Sequence, residues 1–279
     1  MDASRVQTFL DCPERYRLAY QENLVKIVEG AVELPKRFGK ALHAGLEAHY
    51  RGQSVQTSNQ AFLSSLGAIL DEGSDCGHLP HTGINTLDAY RRYWANQDAQ
   101  WKVLAVEEYG TMDIGAEEPW EVKIDLVVQM ESGIWAVDHK STSKPLSEYF
   151  WKRFELNSQV SGYIAYCQQK YGQCSGLIIN GIQVGYRKRA YKGEPAGAYW
   201  NFERQLINRN ARQLEDWRLR MQRTIKRMRD TTAWEKNEGQ CGWCSYAPLC
   251  LAVGDAQVKE TLYQVVANPL AYLTHGEQR

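Results

Sequence analysis

Along the first hundred residues, apolar positions recur at helical spacing. Over 4–21, Val6, Phe9 and Leu10 share one face; Ser4 is placed to cap the start, and Pro13 to open a second helical piece carrying Tyr16 and Tyr20. Phe38, Leu42, Leu46 and Tyr50, each four apart, predict a helix over 36–51. Two more helices are expected over 58–71 and 84–99, with DEGSDCGHLPHTG as the loop between them. The texture then changes. VLAVEEY, EVKIDLVVQM and IWAVDHK are short β-rich runs separated by turn residues, and they read as three strands. A helix follows near 155–171, then the strand SGLIINGI, another strand near 197–202 and a long basic helix over roughly 204–229. Three strands on short links favour an antiparallel meander, and a strand returning after a helix favours a parallel addition. The expected fold class is α/β, a mixed β-sheet core flanked by helices.

Composition narrows the function classes. The 279 residues are 43% hydrophobic, enough for one large domain or two small ones. Lys plus Arg and Asp plus Glu both count 33, so any nucleic-acid binding must use a local patch. No apolar run is long enough to span a membrane, and the N-terminus lacks the apolar core of a secretory signal. Seven cysteines, an odd count, suit a reducing compartment in which they act as ligands or free thiols. The expected location is cytoplasmic, with no membrane partner.

Asp125 lies inside KIDLVV, and Asp138 and Lys140 lie inside WAVDHKS. Charges amid apolar strand runs are costly unless paired or bound to metal. Asp138 and Lys140 leave the same face of their strand. With Glu131–Ser132 as the loop, 125 lies opposite 138; with Ser132–Gly133, it lies opposite 140. Either register groups the three residues. Two carboxylates and a lysine on one patch suit metal-assisted phosphodiester hydrolysis, with the carboxylates holding Mg²⁺ or Mn²⁺ and the lysine steadying charge. The alternative is a surface ion-pair cluster, since short D…DxK patterns also arise by chance. His43, in Gly39-Lys-Ala-Leu-His43, precedes the strands; Gln159 and Tyr163 follow them, four apart on one helix face.

In order, G-x-x-x-H, I-D, D-x-K and Q-x-x-x-Y resemble the RecB-like exonuclease branch of the PD-(D/E)xK nuclease superfamily, over residues 4–250. The resemblance is to its iron–sulfur type, similar to CRISPR-associated adaptation nucleases and the AddB nuclease domain. It implies a restriction-endonuclease-like fold in a single domain over 1–279. That domain would comprise a helical part (1–100), a catalytic α/β core (101–203) and a basic helix with the C-terminal cysteines (204–279). It implies that His43, Asp125, Asp138 and the backbone carbonyl of His139 ligate the metal. Lys140 would be the catalytic lysine, and Gln159 and Tyr163 would contact DNA near the scissile phosphate. Glu107 or Glu108 would match an acidic residue on the first strand.

Cys241, Cys244 and Cys250 form C-x₂-C-x₅-C, which suggests a metal site needing a fourth ligand; Cys12 is the candidate. The resemblance implies a [4Fe-4S] cluster on these four cysteines, tying the N- and C-terminal segments together. Zn²⁺ in the same four thiolates is the alternative. Cys167 and Cys174 are expected to be packing residues. Cys76, His78 and His81 read as plain loop.

Nine Arg or Lys fall within 204–229, namely Arg204, Arg209, Arg212, Arg218, Arg220, Arg223, Lys226, Arg227 and Arg229. Leu214, Trp217, Met221, Ile225 and Met228 would face the core, and the basic face, Arg220, Arg223 and Arg227 above all, would track phosphates. The expected function is a metal-dependent DNA exonuclease or end-processing nuclease in recombination, repair or replication. Its substrate would be single-stranded DNA or free ends, and a helicase or recombination protein is a candidate partner. The competing class is a non-catalytic DNA-binding or recombination scaffold.

Overall fold

A computed structural model describes residues 1–27, 34–70, 77–190, 192–193 and 195–267. The chain divides into two compact units. One comprises Gly30–Met112 and Glu121–Trp217; the other comprises Met1–Glu29, Asp113–Trp120 and Arg218–Arg279.

The larger unit is built on a five-stranded sheet. Its strands are β2 (Lys102–Met112), β3 (Trp120–Met130), β4 (Gly133–Thr142), β5 (Gly176–Arg187) and β6 (Gly197–Ile207), in the order β2-β3-β4-β5-β6. β3 and β4 are antiparallel, β4 and β5 parallel, and β5 and β6 antiparallel, so the sheet is mixed as expected. The β3–β4 register pairs Met130 with Gly133 and Leu126 with Val137, which makes Glu131–Ser132 the loop and carries 125 opposite 138.

Three helices cover one face: α3 (Leu34–Tyr50), α4 (Val55–Leu70) and α5 (Leu79–Asp98). The α3 stripe of Phe38, Leu42, Leu46 and Tyr50 is buried with Phe62, Leu66, Leu87 and Trp94. Leu126, Val128, Val137, Ile178 and Ile182 of the sheet complete this core. Between β4 and β5 run α6 (Glu148–Lys152) and α7 (Ser158–Tyr171). The Asn157 side chain accepts the Gln159 N–H to start α7, and Gly172, with φ of 77°, ends it.

In the smaller unit, α1 (Ala3–Asp11) and α2 (Pro13–Tyr16) lead through a π-helical turn (Arg17–Gln21) to β1 (Leu24–Lys26). β1 pairs antiparallel with β7 (Tyr263–Val265). Leu18, Ala19, Leu24, Tyr246, Leu249 and Tyr263 share a small core, and the Tyr246 hydroxyl donates to the Leu24 carbonyl at 2.6 Å. The N- and C-terminal segments therefore meet through packing and strand pairing.

Several expectations need correction. Asp2, not Ser4, caps α1; its carboxylate accepts the backbone N–H groups of Ser4 and Arg5. Helix α5 begins at Leu79, so His81 is helical and the loop before it is shorter; Cys76 lies outside the described residues. The last long helix, α8 (Ala211–Asp230), starts after Arg204 and Arg209. Pairing with β5 extends β6 through Ile207, overriding the helical propensity of ERQLI. Asn210 then opens α8 with a reciprocal cap: its side chain accepts from Gln213 N–H, and Gln213 Oε1 accepts from Asn210 N–H, both at 2.9 Å. Among the described residues, no helix is long and apolar enough to cross a membrane.

Candidate active site and a cysteine-lined cavity

The charged residues gather where β3 and β4 separate. Beyond Leu126↔Val137, the His139 N–H no longer serves the sheet and donates to Asp125 Oδ2 at 2.7 Å. Helix α3 approaches closely here because Gly39 has no side chain: a Cβ on it would lie 2.7 Å from Ser141 Oγ on β4. One turn later, His43 Nδ1 sits 3.5 Å from Asp125 Oδ1. The donor atoms of His43, Glu107 and Asp125 all lie within 4.8 Å of one another. An imidazole and two carboxylates so close together are a fitting donor set for a divalent cation.

Sequence reasoning could not choose between Glu107 and Glu108. The backbone of Glu107 is left-handed, with φ of 54°, which breaks the strand alternation. Glu107 pairs with Lys123 at 2.7 Å, while Glu108 is committed to Lys170 and to the Tyr166 hydroxyl of α7. Glu107 is the one that joins His43 and Asp125.

Asp138 lies outside that trio. Lys140 Nζ stands 2.7 Å from one of its oxygens and 3.0 Å from the other. The same ammonium donates to Gln159 Oε1 at 3.2 Å. Gln159 Nε2 in turn donates to the Tyr163 hydroxyl at 2.9 Å, and that hydroxyl is committed to the Lys123 carbonyl. The structure thus brings together His43, Asp125, Asp138, His139, Lys140, Gln159 and Tyr163, from α3, β3, β4 and α7.

Electrostatics separates the two aspartates. Burial opposes ionisation of Asp125, but His43 and the other positive neighbours outweigh it and hold the carboxyl well below the usual range. Burial raises the Asp138 pKa; Lys140 opposes this and Asp125 reinforces it. Burial also opposes charge on His43, yet Asp125 prevails and raises the imidazole. For His139, burial lowers the pKa to about 3, so the ring is neutral.

In the smaller unit, Cys12, Cys241, Cys244 and Cys250 line one cavity together with Arg15 and Lys236. Cys12 is buried, and its sulfur accepts the Asn237 N–H at 3.4 Å. Cys167 and Cys174 lie elsewhere, as expected: Cys167 is buried on α7, and Cys174 Sγ donates to the Gly176 carbonyl at 3.3 Å.

On α8, Trp217, Met221, Ile225 and Met228 are buried, as their spacing predicts, whereas Leu214 is only half-buried; Arg220, Arg223 and Arg227 are exposed. Arg227 lies over the Phe9 ring at 5.0 Å. The expectation that Arg204 and Arg209 belong to this basic face is overturned. Arg204 is an interior residue of β6 paired with Asp98 at 2.6 Å. Arg209 turns back onto the carbonyls of Phe154 and Glu155.

No curated protein matches the sequence. A crystal structure from Eubacterium rectale described as a "Putative exonuclease" is similar in fold. It is 12% identical, covers 99% of this chain and 93% of its own, and gives a TM-score of 0.54. The structure of SSO0001 is 10% identical and covers 80% of this chain and 98% of its own; its TM-score of 0.32 carries no argument. The family model of the PD-(D/E)XK nuclease superfamily matches residues 2–251, nearly the whole chain. The chain therefore belongs to the PD-(D/E)XK nuclease superfamily.

Proposed function

We propose that this protein is a divalent-metal-dependent deoxyribonuclease of the RecB-like branch that hydrolyses phosphodiester bonds at DNA ends. The observation that carries this is the convergence of two charge systems at one strand separation: the His43–Glu107–Asp125 donor set and the Lys140–Asp138–Gln159 set. Asp125 is held ionised, fixed by the His139 N–H, and so is ready to ligate. Asp138 and the His139 carbonyl complete the proposed ligands. Mg²⁺ or Mn²⁺ held there would supply Lewis acidity to the scissile phosphate. Lys140 cannot wander, because Asp138 and Gln159 hold its ammonium from two sides. A fixed cation beside the phosphate stabilises the charge that develops in the transition state. Gln159 is itself oriented by Tyr163, so this helix pair sets the position of the lysine. DNA with free ends is the proposed substrate, and recombination, repair or replication, with a helicase partner, the proposed setting.

The four cysteines are proposed to hold a [4Fe-4S] cluster. The cavity they share supports this, as do Arg15 and Lys236 beside a group that would be anionic. The role of such a cluster would be to tie the N- and C-terminal segments together rather than to transfer electrons.

The test is incubation of purified protein with end-labelled single- and double-stranded DNA, with Mn²⁺, with Mg²⁺ and with chelator. Release of labelled nucleotides only with metal, abolished by Asp125→Asn, supports the reading. Metal-independent cleavage, or cleavage that survives Asp125→Asn, overturns it.

A further inference from the structure

Behind the site lies a buried cation that the nuclease chemistry does not use. The Arg204 side chain is 5% exposed, and its guanidinium lies over the rings of Trp94 and Trp101, at 3.9 and 4.2 Å. Nη1 donates to Asp98 at 2.6 Å, and Nη2 donates to the hydroxyls of Tyr90 and Tyr50 at 3.0 and 3.2 Å. Nε donates to Asn180 Oδ1 at 3.3 Å. Buried ion pairs seldom add net stability, because desolvation offsets the attraction. A stabilising core could have used apolar residues here.

What the network touches is more specific. Asn180 of β5 is fully buried, and its Nδ2 donates to His139 Nδ1 at 2.7 Å. The Tyr50 ring lies nearly parallel to the His139 ring, with centroids 5.5 Å apart and an interplanar angle of 11°. His139 stands opposite Asn180 in the parallel ladder, at the point where β4 has lost β3 as a partner. Its peptide N–H is the one that grips Asp125.

We propose that Asn180, anchored by Arg204, is a positioning residue: it locks the His139 ring and so fixes the peptide that aims Asp125 into the His43–Glu107–Asp125 donor set. This rests on the nuclease reading, in which that set holds the metal. Partners one step removed from a metal's ligands typically alter its affinity or the activity about 10–100-fold.

The test compares wild type with Asn180→Ala, Arg204→Lys and Leu87→Ala, the last an apolar truncation in the same core that makes none of these hydrogen bonds. Each is assayed well below its own melting temperature. Calorimetry measures Mn²⁺ binding without DNA, and cleavage of end-labelled DNA gives kcat and KM separately. Asn180→Ala is expected to weaken Mn²⁺ about tenfold or more and to lower kcat similarly, with KM within about twofold. Leu87→Ala should leave all three near wild type despite its lower melting temperature. Arg204→Lys, which keeps the charge but loses the fork reaching Asn180, should shift Mn²⁺ binding in the same direction by less. If Asn180→Ala does not fold, Arg204→Lys decides. Wild-type Mn²⁺ affinity in the folded variants, losses no larger than those of Leu87→Ala, or a wild-type protein that binds no Mn²⁺ overturns the proposal. A wild type that binds Mn²⁺ but cuts no DNA sinks the nuclease reading alone, and a metal-affinity loss in Asn180→Ala would still support the positioning role.

Discussion

Single residues set the charge pattern of the site. Lys140 is about a quarter exposed, and among the described residues its ammonium bonds to Asp138 and Gln159. Lys140→Ala is expected to cut kcat by about 10²-fold or more in initial rates. It also leaves the buried Asp138 carboxyl without its counter-charge, so a lower melting temperature should accompany it, and the rates are compared well below that temperature. Arg204 lies deeper. Asp98→Ala would leave a buried guanidinium without its counter-charge and should cost about 3–5 kcal/mol in urea unfolding. A loss below about 1 kcal/mol would mean that Tyr50, Tyr90 and the two tryptophans suffice. Spacing in the sequence sufficed to group Asp125, Asp138 and Lys140, because strand alternation is a strict rule. It could not choose Glu107 over Glu108, since that depends on one left-handed residue. Nor could it find Arg204 inside the protein, since an arginine in a polar run looks like surface until its strand partners are known.

At the scale of elements, legibility followed the strength of the period. The α3 stripe and the three strands from β2 to β4 were plain, because each pairs a clear repeat with turn residues. The α8 boundary was missed, because β6 and the helix after it share polar, helix-favouring residues, and only pairing with β5 separates them. The α3–α4–α5 layer also hides a steric demand. A Cβ on Gly83 of α5 would fall 1.9 Å from Phe62 Cζ on α4, and Phe62 is fully buried. Gly83→Ala should therefore destabilise by about 1–3 kcal/mol, seen as a lower melting temperature, despite the better helix propensity of alanine. On α8, reversing Arg220, Arg223 and Arg227 to Glu should weaken DNA binding and flatten its salt dependence by up to about one unit of slope per lost phosphate contact. Unchanged binding in fluorescence anisotropy would leave α8 as a solvated face.

For the whole molecule, the family and the mixed α/β sheet were legible, because the order of weak motifs is more specific than any one of them. The sequence leads us to expect a cluster on the cysteines to join the N- and C-terminal segments; the structure joins them through apolar packing of Leu18, Leu24, Tyr246 and Tyr263 and through β1–β7 pairing. Protein isolated without oxygen should be brown and carry about four irons, and Cys12→Ala should lose them together with thermal stability. One tightly bound zinc per colourless chain would instead identify the alternative metal. The smaller unit takes its first segment from Met1–Glu29 and its last from Arg218 onward. On the ribosome that order becomes a delay. At about 5–20 residues per second, some 10–40 s separate the emergence of Leu18 and Leu24 from that of the segment that covers them. The nascent chain must keep the apolar face of Leu18 and Leu24 waiting while the intervening residues are made. Any group seated among the four cysteines can enter only as a late step, after Cys250 has left the exit tunnel.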